Sequence, residues 1–172
     1  MEQIKLELPE LEYKRLPWKT LDNVTPTGRS RAFENQNLKY KLAGFTKDNT
    51  TYSQSFEVHE DTKKFASTLF DRYTVSVMWQ MPGHTLPSHV DTFYMISKEF
   101  GVEPEKCCRV NIFLEDWISG HYFEINENPI LQWTRGDAII IEKDEPHLSG
   151  NFGLKPKYTM QVTGVRDEFK RG

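Results

Sequence analysis

Three residues with metal-binding side chains give the first indication of chemistry in this chain. His89 and Asp91 close the stretch Gly-His-Thr-Leu-Pro-Ser-His-Val-Asp, which begins at Gly83, and one residue separates them. Residues two apart on a β-strand project to the same face, so this imidazole and this carboxylate can point into one interior. His147 follows 58 residues after His89, directly behind a proline, and is the candidate third ligand.

Two histidines and one carboxylate, with coordination positions left open, form the facial triad of non-haem Fe(II) oxygenases. The competing interpretation of His89 and Asp91 is an ordinary hydrogen-bonded pair in a turn. For His147 it is a histidine at a strand edge after a proline turn. The remaining histidines have no second ligand at a suitable spacing; they are His59, His84 and His121.

Length, charge and cysteine content limit the function classes. A chain of 172 residues is expected to form one domain. The formal net charge of -3 gives no indication of a nucleic-acid or anionic-membrane partner. The start of the sequence lacks the basic region and apolar stretch of a secretion signal, and no apolar run is long enough for a membrane span. The only cysteines are the adjacent Cys107 and Cys108, which suit a reducing, cytoplasmic setting.

Hydrophobic spacing predicts a mainly β protein. Apolar residues at helical spacing predict a helix over Glu60–Tyr73, and a second short helix is predicted over Thr92–Phe100. The predicted strands are Tyr73–Met81, Arg109–Leu114, Gly120–Ile125, Ile130–Trp133, Ala138–Glu142 and Tyr158–Val165. We therefore expect a sandwich or barrel within a single domain of residues 1–172, with 1–58 as an N-terminal extension and 59–172 as a helix plus barrel core.

The glycine and histidine spacings resemble a known superfamily. Gly83 is followed by five residues and then His89-Val-Asp91, and Gly136 is followed by ten residues and then His147. These spacings are similar to the two metal-binding motifs of the cupin, or double-stranded β-helix, superfamily. The resemblance spans roughly residues 73–165 and implies a jelly-roll or cupin-like barrel with N-terminal helical elements packed outside. His-x-Asp in the first motif resembles the 2-oxoglutarate and Fe(II)-dependent oxygenases of that fold.

The same resemblance implies a role for Lys157, which lies ten residues after His147. Many of those oxygenases carry a basic residue near this spacing that binds the far carboxylate of 2-oxoglutarate. Lys157 and Thr159, on one face of a strand, are therefore the expected cosubstrate-binding pair. The alternative for Lys157 is a solvated surface lysine.

Arg109 and Asn111 are further candidates for cofactor binding. They alternate with apolar residues, so they are expected to line the barrel if the apolar face packs outward. A guanidinium group inside a barrel requires an anion. That anion is either a carboxylate of the substrate or of 2-oxoglutarate, or an acidic side chain of the protein itself.

The resemblance implies a hydroxylase that uses Fe(II) and 2-oxoglutarate and releases succinate and CO2. In its compact size and its lysine at the cosubstrate position, the chain resembles prolyl and aspartyl/asparaginyl hydroxylases. The expected acceptor is therefore a small molecule, namely a free amino acid, or a peptidyl residue. His89, Asp91 and His147 would be both metal ligands and catalytic residues, with Asn151 and Glu142 orienting a ligand. Two alternatives remain: a cupin-like protein that binds a metal or small molecule, and a cupin enzyme independent of 2-oxoglutarate.

Overall fold

The computed structural model describes residues 1–170 and is built mainly from β-strands. The helices are α1 (Arg31–Leu42), α2 (Glu60–Leu69) and α3 (Tyr94–Phe100), and two short 3-10 helices span Pro104–Lys106 and Arg166–Glu168. The strands are β1 (Glu2–Lys5), β2 (Lys19–Leu21), β3 (Tyr52–Ser55), β4 (Tyr73–Gln80), β5 (Thr85–His89), β6 (Cys107–Phe113), β7 (His121–Ile125), β8 (Asn128–Ile130), β9 (Asp137–Glu142), β10 (His147–Asn151) and β11 (Lys157–Val165). Among the described residues, no helix has the length and apolar character needed to cross a bilayer.

The strands form two antiparallel sheets. The larger has the order β1-β9-β6-β11-β4-β3-β2, and the smaller has the order β5-β10-β7-β8. A hydrogen bond from Lys157 on β11 to Ser149 on β10 joins the inner faces of the two sheets. The mainly β fold class predicted from the sequence is confirmed.

Strand β11 separates an outer apolar layer from a polar interior. Its outward residues Met160 and Val162 are fully buried with Val110 of β6, and helix α2 covers them with Ala66 and Leu69. Because side chains alternate along a strand, the intervening residues of β11 point between the sheets. These inward residues are Lys157, Thr159, Gln161 and Thr163, and all are buried.

A second apolar cluster fills part of the space between the sheets. The rings of Phe113 and Trp133 stack with centroids 4.0 Å apart, and Phe123 meets Phe113 edge-on at 5.8 Å. Ile139 and Ile141 of β9 complete this packing. The interior is therefore apolar on one side, and the polar residues of β11 face the remaining space.

Residues 1–58 contain more regular structure than the sequence pattern indicated. β1 pairs with β9, and β3 pairs with β4, so both edges of the larger sheet come from this segment. Helix α1 begins at Ser30, whose hydroxyl accepts a hydrogen bond from the amide of Phe33. Strand β3 reads Tyr-Ser-Gln-Ser and carries no apolar alternation, which explains why it was not predicted.

Most predicted elements are found within one or two residues of their expected ends, but two differ by more. The helix predicted over Glu60–Tyr73 ends at Leu69, because Phe70 is extended (φ -145°) and turns into the core. The strand predicted over Ile130–Trp133 is wrong: β8 ends at Ile130, and Gln132 has φ 58° in the left-handed region. β5 and β10, the strands that carry the two candidate histidine ligands, were not among the predicted strands.

Candidate metal centre

The geometry of β5 places His89 directly opposite His147. The two residues are partners in the antiparallel pairing of β5 with β10. The register shifts between this pair and the next one, Ser149 with Leu86, so β5 contains an irregularity at its centre. Pro87 lies in that irregular part, which an edge strand tolerates because its outer amide positions have no partner strand.

The three predicted ligands come together in the structure. One ligand atom from each of His89, Asp91 and His147 lies within 4.8 Å of the others. The Nε2 atoms of His89 and His147 are each 3.9 Å from an Asp91 oxygen, Oδ1 and Oδ2 respectively. The two imidazole rings lie side by side, with centroids 4.2 Å apart.

Backbone carbonyls fix the orientation of both imidazoles. His89 Nδ1 is 2.8 Å from the carbonyl oxygen of Pro87, and His147 Nδ1 is 3.0 Å from that of Glu145. A carbonyl oxygen can only accept, so each Nδ1 carries the hydrogen and donates it. Each Nε2 is then left with its lone pair directed at the triad, as a metal ligand requires.

The two residues expected to orient a ligand lie elsewhere. Asn151 is fully buried, and its amide donates to the carbonyl oxygens of Gln80 and Lys155 at 2.8 Å each. The carboxylate of Glu142 is 2.8 Å from Arg166. Neither side chain contacts the triad in the described structure. The two imidazoles are instead oriented by main-chain carbonyls, which the sequence pattern did not identify.

The carboxylate of Asp91 is ionised and only half satisfied by the protein. Arg109 Nη1 donates to Asp91 Oδ1 at 2.9 Å, whereas no donor within the described chain reaches the buried Oδ2. Burial alone would raise the pKa of Asp91, but Arg109 and then the two histidines outweigh it and lower that pKa. An anionic oxygen without a donor, beside two imidazole lone pairs, fits a divalent cation.

The protonation state of His89 agrees with that assignment. Burial, reinforced by the neighbouring His147, lowers the pKa of His89 to about 3, although Asp91 acts in the opposite direction. The His89 imidazole is therefore neutral near pH 7. A neutral imidazole is the form that binds a metal ion.

Lys157 is a buried cation without a carboxylate partner among the described residues. Its ammonium group donates to Ser149 Oγ at 2.5 Å, to the Tyr122 carbonyl oxygen at 2.6 Å and to Gln80 Oε1 at 3.3 Å. It also lies 5.5 Å from the ring centroid of Trp133. Burial lowers the pKa of Lys157 to about 7. The surface-lysine alternative is wrong, since this residue is 2 % exposed.

The other candidate cofactor residues also point inward. Arg109 pairs with Asp91. Of the anions considered for Arg109, the structure therefore provides an acidic side chain of the protein itself. Asn111 is buried, and its Nδ2 has no hydrogen-bond acceptor in the described structure. Thr159 is buried and aligned with Phe113 and Met78 of the neighbouring strands.

A cavity of about 110 Å³ with a mixed polar and apolar lining adjoins the triad. His89, Asp91 and Arg109 line it, while His147 and Lys157 do not. Much of its remaining wall comes from residues that the sequence gave no reason to select: Asn23, Arg29, Gln36, Tyr52, Gln54 and Gln161. Period-two alternation on β11 does place Gln161 on the Lys157 face, but no comparable signal exists for the N-terminal residues.

No family model and no curated protein matches the sequence. Among solved structures, a predicted oxalate decarboxylase from Thermotoga maritima has 13% identity and a TM-score of 0.45, covering 67% of this chain and 81% of its own. A cupin protein from Bacteroides fragilis has 14% identity and a TM-score of 0.41, covering 58% and 71%. A protein with a double-stranded β-helix domain from Klebsiella pneumoniae has 14% identity and a TM-score of 0.40, covering 60% and 79%.

The fold is a double-stranded β-helix. Two antiparallel sheets define it here, with the strands that carry His89 and His147 paired in the smaller one. The cupin-like barrel expected from the motif spacing is confirmed. A fold does not specify a reaction, which depends on the triad and its surroundings.

Proposed function

We propose that this chain is an Fe(II)- and 2-oxoglutarate-dependent dioxygenase that hydroxylates an amino-acid or peptidyl substrate and releases succinate and CO2. One observation carries the proposal: two imidazole Nε2 atoms and an ionised carboxylate with one oxygen free of donors converge beside a cavity. Two histidines and a carboxylate are the ligand set of non-haem Fe(II) oxygenases. When bound, Fe(II) would supply the oxygen chemistry that amino-acid side chains cannot perform.

Each residue around the triad has a specific task in this proposal. His89, Asp91 and His147 would hold the metal through two imidazole nitrogens and a carboxylate oxygen. Arg109 keeps Asp91 ionised and fixes its orientation through the bond at 2.9 Å. The buried amine of Lys157 would bind the far carboxylate of 2-oxoglutarate in its protonated form, because an anion beside the amine favours the charge that burial disfavours.

The spacing along β10 supports this use of Lys157. Ser149, which accepts a hydrogen bond from Lys157, lies two residues after His147. Two residues of a strand span about 7 Å, a distance that a five-carbon dicarboxylate can bridge. A cosubstrate bound to the metal beside His147 would therefore bring its second carboxylate near the Lys157 ammonium group.

One observation favours a second candidate, a cupin-like protein that binds a metal without oxygenase activity. The three hydrogens of the Lys157 ammonium group already have three acceptors, so a carboxylate must displace Ser149 or Gln80 to reach it. The two candidates differ in their response to 2-oxoglutarate. Only the dioxygenase should bind it at the metal and convert it to succinate.

Anaerobic titration with Fe(II) and then 2-oxoglutarate tests the proposal. The wild type should bind Fe(II), develop a weak visible charge-transfer band on addition of 2-oxoglutarate, and form succinate when oxygen is admitted. His89→Ala, Asp91→Ala and His147→Ala should each abolish tight Fe(II) binding while the fold persists, whereas the exposed His59→Ala should behave as wild type. Iron binding without the band or succinate would favour the metal-binding protein, and undiminished iron affinity in a triad variant would remove that residue from the site.

A further inference from the structure

The guanidinium group of Arg29 lines the cavity without an acidic partner. Arg29 is half-buried just before α1, and its guanidinium carbon lies 5.4 Å from the ring centroid of Phe33. None of the salt bridges found in residues 1–170 includes Arg29. A guanidinium group held against an aromatic ring but left without an anion is well placed to bind one from solution.

Charged groups of both signs surround this part of the cavity, and Arg29 is the cation that forms no described salt bridge. Burial raises the pKa of Tyr52, while the guanidinium groups of Arg29 and Arg109 both act to lower it, so the phenol interacts with both cations. Among the described residues of the cavity wall, Asp91 is the one carboxylate, and it is already paired with Arg109. Asp22, which acts on the same phenol in the opposite direction, accepts hydrogen bonds from its own turn.

The rest of the polar wall is neutral. Gln54 Nε2 donates to Ser76 Oγ at 2.9 Å and to Gln161 Oε1 at 3.3 Å, which joins three strands below the cavity. Carboxamides and hydroxyls can donate as well as accept, so this surface suits the amino and carbonyl groups of a small polar molecule. A single cation without a described carboxylate partner, beside neutral polar and apolar side chains, favours one carboxylate in the ligand.

Cavity size restricts the ligand further. The space measures about 110 Å³, whereas a cavity of about 150 Å³ holds a benzene molecule and pockets for larger ligands measure about 300 Å³ or more. A free amino acid can place its side chain in such a space and leave its carboxylate at the mouth.

We propose that Arg29 binds the carboxylate of the acceptor substrate and that this acceptor is a free amino acid. This inference deepens the proposed dioxygenase function and rests on it for the reaction. The binding of the acid does not depend on that reaction. It gives residues 1–58 a part in selecting the substrate, since Arg29, Tyr52 and Gln54 all belong to that segment.

Calorimetric titration with the common L-amino acids and their α-carboxamides tests the inference directly. The protein would be loaded anaerobically with Fe(II) and 2-oxoglutarate, and the titration repeated on the metal-free protein. At least one acid should bind, and its carboxamide should bind about tenfold or more weakly, as expected for loss of a charged hydrogen bond. Equal affinity for acid and carboxamide, or no binding by any of the acids, would overturn the inference.

Matched arginine variants locate the effect. Arg29→Gln should lower the affinity for the acid to that for its carboxamide, and Arg29→Lys should restore part of the affinity. Arg31→Gln, an exposed neighbour on α1, should change nothing. Affinities for Fe(II) and 2-oxoglutarate should stay within about twofold in all three, as for independent sites. If Arg29→Gln instead lowers the affinity for 2-oxoglutarate, Arg29 binds the cosubstrate and the inference is wrong.

Turnover separates this inference from the function on which it rests. With the acid that binds, Arg29→Gln should raise the KM of that acid about tenfold while kcat changes far less, because Arg29 is not one of the candidate metal ligands. A wild-type protein that binds the acid through Arg29 but never consumes 2-oxoglutarate would refute the dioxygenase and leave the acid site standing. Consumption of 2-oxoglutarate with no preference for acids over carboxamides would refute the acid site and leave the dioxygenase standing.

Discussion

Replacing Lys157 by methionine should change how the free energy of unfolding depends on pH. In the folded protein, burial lowers the pKa of Lys157 from 10.5 to about 7. In the unfolded chain the same amine should titrate near its ordinary pKa of about 10.4. Between these two values the unfolded state holds a proton on this residue that the folded state has lost. The folded protein must therefore become more stable as pH rises through this window.

The size of the effect follows from the difference between the two pKa values. One pKa unit corresponds to about 1.4 kcal/mol, and the residue is almost completely buried, so solvent screens the effect little. From pH 7 to pH 10 the wild type should gain on the order of 3–4 kcal/mol relative to Lys157→Met. This is an upper figure, because Ser149, Tyr122 and Gln80 supply acceptors that favour the charged amine.

Urea unfolding followed by tryptophan fluorescence at pH 7 and pH 10 measures that difference. Lys155→Met is the matched control, because Lys155 is exposed and two residues away. Its unfolding free energy should parallel that of the wild type at both pH values. If Lys157→Met also parallels the wild type, the lysine keeps its proton in the fold, and the reasoning from burial is refuted.

The remaining predictions concern the Arg109–Asp91 pair and one packing contact. Arg109→Met should cost about 3–5 kcal/mol in urea unfolding, because it leaves the buried Asp91 carboxylate without its cation, and it should move metal binding to higher pH as the pKa of Asp91 rises. The exposed Arg72→Met should have little effect, and equal losses in the two variants would contradict the argument. Gly164→Ala should destabilise by about 1–3 kcal/mol, since a Cβ there would lie 2.2 Å from the Phe70 ring. Thermal unfolding checks this, and Phe70→Leu in the same chain should recover part of the loss; additive losses would exclude the contact as the cause.

Most of the fold that could be predicted from the sequence came from the alternation of apolar and polar residues along the strands. The pattern around Val110 and Met160 identified β6 and β11, because one of their faces is apolar and packed. The same alternation predicted that Arg109 and Lys157 point inward. Strand β3 was not predicted, because its residues are mostly polar and its pairing with β4 depends on partners distant in sequence.

The candidate site was predictable only in part, for a related reason. His89 and Asp91 are two residues apart, so their closeness could be predicted from the sequence. The reason given for it was wrong, because β5 ends at His89 and Asp91 lies in the segment that follows, outside the strand period. His147 required the spacing of a known superfamily, because nothing local links it to His89. The choice between an external anion and Asp91 as the partner of Arg109 depends on how β5 lies relative to β6, which no pattern within either strand specifies.

The inner face of β11 gives a reason to expect two separate anion sites. Lys157 and Thr163 lie six residues apart on one straight strand, which places their backbones about 20 Å apart. Thr163 accepts a hydrogen bond from Arg109 and lines the cavity that also contains Arg29, whereas Lys157 lies outside that cavity wall. One small carboxylic acid cannot reach both ends of such a strand. A cosubstrate held at Lys157 would therefore leave the Arg29 end free for the acceptor.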